Sequence, residues 1–178
     1  MLRVDGKHGG MKPMRHELCE DIDEAAARYD GGYYAEKLQQ GLEFQDVMTR
    51  ELYLRGIVVV GFSSRRFQNS VGENMLGAEI KRDGNFRETG NLYIEVAEKS
   101  HPRNRNYIAS GIMREDNSWL FVIGDEKTAY IFSTKYLRLL AEQRNWREVR
   151  KATSIGRLMP IADAERYCIR KIEIGASA

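Results

Sequence analysis

Apolar residues recur at helical spacing in two stretches near the start of the chain. Leu18, Ile22, Ala25 and Ala26 share one side across about 14–28, and Asp30-Gly31-Gly32 supplies the stop, because glycine tolerates the left-handed turn that closes a helix. A second helix is predicted across about 34–54. Leu38, Leu42, Val47, Leu52 and Leu54 form its apolar face and Gly56 ends it. The period then changes. Ile57-Val58-Val59-Val60-Gly61-Phe62 is a β-branched run that reads as a buried strand. Strands are also predicted at 75–82, 91–98, 107–113, 119–123 and 128–132, with turn residues at 83–90, Asp116-Asn117 and Gly124-Asp125. Ser133 or Thr134 then caps a helix reaching about Gln143. The stretch 161–172 mixes helix and strand signals.

Helix, helix, five or six hairpin-linked strands and a further helix predict an α+β domain with one mixed central β-sheet flanked by helices. A length of 178 residues suits one domain with a core of its own. Residues 1–13, with three glycines and a proline, read as a loose arm. No apolar run approaches the length of a membrane span and the first residues lack a secretory pattern, so no membrane contact and a cytoplasmic location are expected. Cys19 and Cys168 form no metal-type spacing and read as free thiols of a reducing compartment. The net charge of +2 hides an asymmetry: 17–30 holds six acids and one base, 135–171 ten bases and four acids. A basic last third suits a polyanion as well as it suits a solvated helix face.

The chemistry concentrates in Gly77-Ala78-Glu79-Ile80-Lys81-Arg82-Asp83 and Gly90-Asn91-Leu92-Tyr93-Ile94-Glu95-Val96-Ala97-Glu98-Lys99. Alternate residues of a strand share a face. Glu79 and Lys81 therefore project together, as do Tyr93, Glu95 and Ala97. A hairpin of the two strands would bring Glu95 beside Glu79 and Lys81. Two carboxylates and an ammonium on one patch can hold a magnesium ion through hard oxygen ligands, with the lysine positioning a nucleophilic water or offsetting charge. The same spacing also describes a plain cross-strand Glu–Lys pair on a solvated face.

The Glu79-Ile80-Lys81 triplet resembles the (D/E)-x-K signature of the PD-(D/E)xK nuclease superfamily. Thirteen residues separate Lys81 from Glu95, a spacing similar to that of CCGG-type restriction enzymes in which the glutamate has migrated. The longer phrases around both strands are also similar to phage-associated members. The resemblance implies a restriction-endonuclease-like fold with its core at about 34–143. It also implies a nuclease using Mg²⁺ or Mn²⁺, DNA as partner, and a homodimer where both strands are cut. Glu79, Lys81 and Glu95 would be catalytic, with Glu79 and Glu95 on the metal. The family's Pro-Asp is missing, and the upstream acid falls to Glu73, or to Glu43 on the preceding helix as a metal ligand. Glu73 lies close to Glu79 for the usual hairpin spacing. In a second register Glu79 is the first acid and Glu95 the second, leaving Ala97 at the lysine position and Lys81 or Lys99 to substitute. An inactive nucleic-acid-binding relative, or a phage or mobile-element accessory protein of the same fold, is the alternative.

Further candidates for DNA contact lie in loops. Arg65, Arg66 and Gln68 follow the first predicted strand, and Arg103 and Arg105 follow the second site strand, where guanidinium groups could reach phosphates whatever the base sequence. Thr153-Ser154-Ile155-Gly156-Arg157 is a candidate phosphate turn without the nucleotide-loop pattern. Trp119, within Ser118-Trp119-Leu120-Phe121, is expected in the core.

Overall fold

Two four-stranded sheets, rather than one, organise the protein. The computed structural model describes residues 21–175; the side chains of Arg65 and Asn69, and everything outside that range, including the arm at 1–13 and Cys19, lie outside the described residues. The first sheet has the order β1-β4-β5-β8: β1 (Ala78–Arg82), β4 (Leu120–Gly124), β5 (Thr128–Ser133) and β8 (Arg170–Glu173). It is mixed, because β1 runs parallel to β4 while β5 and β8 are antiparallel to their neighbours. The second sheet is β3-β2-β7-β6: β2 (Asn91–Glu98), β3 (Ile108–Ala109), β6 (Arg147–Arg150) and β7 (Ser154–Pro160), all antiparallel. The predicted hairpin of the two site strands does not form, since β1 and β2 belong to different sheets.

Helices pack against both faces of the first sheet. α1 (Ile22–Arg28) is capped by the Asp21 carboxylate, which accepts from the amides of Asp23 and Glu24. It does not stop at the glycines. A π-type turn, Tyr29–Tyr33, carries the chain through a kink at Gly32 (φ 93°) into α2 (Tyr34–Leu54). That φ is one only glycine adopts without strain. α3 (Arg65–Ser70) and α4 (Phe86–Thr89) are short; α5 (Thr134–Gln143) starts at the Ser133 hydroxyl, and α6 (Ile161–Tyr167) precedes β8. No helix among the described residues is long and apolar enough to cross a membrane.

Period-two alternation divides the first sheet's side chains between two cores. Ile80, Val122, Ala129, Ile131 and Ile172 pack under Phe44, Met48 and Leu52 of α2. Phe121, Ile123, Tyr130 and Phe132 face the other way, onto Leu92 and Ile94 of β2, Met159 of β7, and Leu137 and Leu140 of α5. Burying a large aliphatic or aromatic side chain contributes about 1.5–3 kcal/mol, so these two layers carry the fold. The α2 face predicted from its leucines is rotated: Leu38, Leu42 and Leu54 are exposed, and Phe44, Met48 and Leu52 face the sheet. The β-branched run at 57–62 forms no strand; it makes one bridge, Gly61 to Asn74, and leaves Val58 and Val60 exposed. Trp119 is also exposed, its indole N–H donating to the Leu76 carbonyl. The segment 107–113 shortens to β3 plus one 3₁₀ turn, Gly111–Met113, and the candidate phosphate turn at 153–157 is the start of β7.

Candidate functional site

With Ile80 committed to the α2 core, Glu79 and Lys81 must leave β1 on the opposite face. Their partners in the parallel register are Phe121 and Ile123, which line that side. On β2, Leu92 and Ile94 enter the core and Tyr93 and Glu95 point away from it. The two faces meet in a cleft lined by Lys81, Glu95, Tyr93, Phe121, Ile123 and Lys151. Glu95 thus shares the cleft with Lys81 from a separate sheet, not from within a hairpin.

Lys81 is the centre of charge. Its Nζ stands 3.0 Å from Glu79 Oε1 and 3.5 Å from Glu73 Oε1. Burial by itself would lower the Lys81 pKa, but the carboxylates of Glu79, Glu73 and Glu95 outweigh it and hold the ammonium well above its ordinary value. Glu79 is 2% exposed, and burial raises its pKa against the pull of Lys81, with Glu73 and Asp116 adding to the rise. Glu95 is half-buried and is likewise raised by burial, opposed by Lys81 and by the Ser110 hydroxyl, which donates to its Oε1 at 2.8 Å. Glu79 Oε2 is buried without a hydrogen-bond partner among the described residues. An unpartnered buried acceptor costs about 1–3 kcal/mol.

Glu73 enters the site by a route its spacing concealed. The Asn74 side chain accepts from the Ala78 amide and donates to the Ala78 carbonyl, at 3.0 and 2.6 Å, and so folds the approach to β1 back on itself. Glu73 then reaches Lys81 and accepts from Gln45 of α2 at 3.4 Å. Glu43 does not join them: it is exposed on α2 and accepts from Gln39 at 3.0 Å. Asp83 is occupied with structure, accepting from the amides of Asn85 and Tyr93. Lys99 is buried and donates to the carbonyls of Pro102 and Asn104, so it shapes the loop after β2 rather than the acidic cluster.

Among the DNA-contact candidates, Arg103 and Arg105 are exposed in a groove shared with Lys99, Tyr107 and Arg150. Gln68 spends its amide on the Phe62 carbonyl, and Arg66 is exposed on α3, outside the cleft lining. The Arg65 side chain lies outside the described residues. Set against protein-family models, curated proteins and solved structures, the chain matches none.

Glu73, Glu79 and Glu95 place carboxylate oxygens around one ammonium, so one positive charge faces up to three negative ones. This donor chemistry fits Mg²⁺ or Mn²⁺. In the present arrangement Lys81 bridges Glu79 and Glu73, and among the described residues no three acidic, histidine or cysteine side chains converge as a ready ligand set. Ser110, Gln45 and Asp116 were not predicted at the site. Ser110 and Gln45 reach it through long-range hydrogen bonds, and Asp116 acts on Glu79 through its charge, none of which a local pattern encodes.

Proposed function

We propose that the chain is a divalent-metal-dependent phosphodiesterase acting on DNA, of the PD-(D/E)xK kind, on a restriction-endonuclease-like core. The observation that carries this reading is the buried Glu79 carboxylate, one oxygen unpartnered, beside a lysine shared with Glu73 and facing Glu95. Glu79, Glu95 and Glu73 would hold the ion, which supplies Lewis acidity toward a phosphate oxygen and lowers the pKa of water. Lys81, kept protonated by its three acids, acts as a donor. It orients the attacking water and offsets charge on the phosphate rather than removing a proton. Glu95, whose carboxylate opens on the cleft, would serve as a ligand of the ion, and the proton of the attacking water passes to bulk water. Ser110 fixes the Glu95 rotamer.

The test is cleavage of plasmid and oligonucleotide DNA with Mg²⁺ or Mn²⁺. Glu79→Ala and Lys81→Ala should each abolish it, and Glu95→Ala should weaken the heat of Mn²⁺ binding in calorimetry. Wild-type cleavage by both alanine variants would refute the assignment. DNA binding without cleavage in either metal would instead identify a binding protein that has lost catalysis.

A further inference from the structure

The corner between α1 and α2 carries groups that hydrolysis does not use. The kink at Gly32 gathers Tyr29, Tyr33 and Tyr34 within one turn of chain. Tyr29 is the anchor: its hydroxyl donates to the Ser100 carbonyl at 2.7 Å, and its ring meets His101 edge-on at 5.1 Å. Tyr34 lies 5.0 Å from the Tyr29 ring at 34° and remains 53% exposed. Tyr33 is 50% exposed, with the Lys37 ammonium 5.4 Å from its ring centroid. Single exposed apolar residues need no explanation, but adjacent aromatic rings at the mouth of a charged cleft do.

Their placement supplies one. Tyr33 and Lys37 line the cleft that holds Lys81 and Glu95. Tyr29 and Tyr34 line a second hollow, which shares Glu95 with that cleft and includes Ser154. Aromatic surface therefore borders both hollows that meet at Glu95, with Lys37 and Lys81 in the first. Rings that stack bases next to cations that follow the backbone are the recognition chemistry of single strands, whereas a duplex keeps its base faces stacked on one another.

We propose that this tyrosine corner is a stacking platform for unpaired bases, and that the substrate class of the site is single-stranded DNA. One or two bases rest on Tyr33 and Tyr34 while the backbone passes Lys37 toward the Lys81–Glu95 cluster. The substrate assignment rests on the phosphodiesterase reading; the binding itself does not.

The test measures fluorescence anisotropy of labelled oligo-dT of about 20 nucleotides, long enough for one site, and of a duplex of equal length, without metal. The full chain should bind oligo-dT more tightly than duplex. Tyr33→Ala and Tyr34→Ala should each raise the oligo-dT Kd about tenfold, equivalent to about 1.4 kcal/mol. Tyr→Phe at either position should retain wild-type affinity, and so should Tyr53→Ala, on an exposed ring elsewhere on α2. Unchanged melting temperatures would show that the variants are folded. Equal or tighter duplex binding, wild-type affinity of both alanine variants, or an equal loss in Tyr53→Ala would overturn the proposal, and tighter binding of oligo-U would overturn its assignment to DNA. Tyrosine-dependent binding with no cleavage in Mg²⁺ or Mn²⁺ would sink the hydrolase reading alone; duplex cleavage without oligo-dT binding would sink the platform alone.

Discussion

Replacing Glu79 with methionine should make the metal-free protein more stable while silencing it. Glu79 is 2% exposed and its Oε2 finds no partner among the described residues. Leaving an acceptor in that state costs about 1–3 kcal/mol, and burial has already driven the pKa of the carboxyl upward. Against this stands one ion pair, 3.0 Å long, to a lysine side chain that is 38% exposed. A pair open to solvent on one side is screened and contributes about 0–1 kcal/mol. Lys81 would not be stranded, since Glu73 remains at 3.5 Å and water can reach it. Methionine matches the length of glutamate and brings no polar atom, so the net change is a gain of about 1 kcal/mol, or about 2–4 °C for a chain of this size. Urea and thermal denaturation at neutral pH in chelator would measure it. The wild type should gain stability on adding Mn²⁺, and E79M should not, because only the former has the ligand. A loss exceeding about 2 kcal/mol in E79M would show that Glu79 holds the fold together and that its buried oxygen carries no net cost.

Three further outcomes follow from the same geometry. Glu79 and Glu95 have folded pKa values raised above the usual 4.5, so the folded state holds extra protons. Their contribution to stability is complete below about pH 4.5 and is lost as pH rises through the raised values. The metal-free melting temperature should therefore carry a falling component from about pH 5 upward, which Glu79→Gln with Glu95→Gln removes; an unchanged pH profile in that double variant would contradict the shifts. Gly111 has φ 50°, and a Cβ there would overlap the Glu95 carbonyl oxygen. Gly111→Ala should destabilise by about 2 kcal/mol or more and reduce cleavage with it, and denaturation midpoints matching wild type would refute the close approach. Ser110→Ala frees the Glu95 carboxylate from its 2.8 Å donor; cleavage should fall about tenfold with melting nearly unchanged, and full activity would show that Glu95 needs no positioning.

Much of the fold was legible where the physics is local. α2 spans Tyr34–Leu54 as its periodicity and Gly56 predict, and α5 is capped by Ser133, one of the two caps expected. Which face of α2 is buried was not legible, because Leu38 and Leu42 line the hollow beside Glu73 while Phe44 and Met48 meet the sheet. Strand pairing was least visible. β1 joins β4 across a long stretch of chain, and β2 joins β7, whose glycine at 156 and neighbouring charges on β6 hide the strand pattern. The run at 57–62 shows that β-branched composition signals an extended backbone without supplying it a partner. At the site, the strand alternation of Glu79 and Lys81 held because β1 exists as predicted. Glu95 arrives from a separate sheet, and Glu73 arrives because an asparagine side chain folds its loop. Tyr29-Asp30-Gly31-Gly32-Tyr33-Tyr34 read only as a helix stop, and it is the kink at Gly32 that turns Tyr33 toward the cleft.

The lysine at the heart of the acidic cleft has a consequence for how the protein comes into being. A newly made copy brings its own counter-ion, tethered two residues from the acid that most needs it, so self-repulsion among the glutamates is quenched as the sheets dock. Chelators should then leave such a molecule folded, and a copy whose Lys81 is lost should still close the seam between its sheets, giving up only the contribution of a screened pair, about 0–1 kcal/mol.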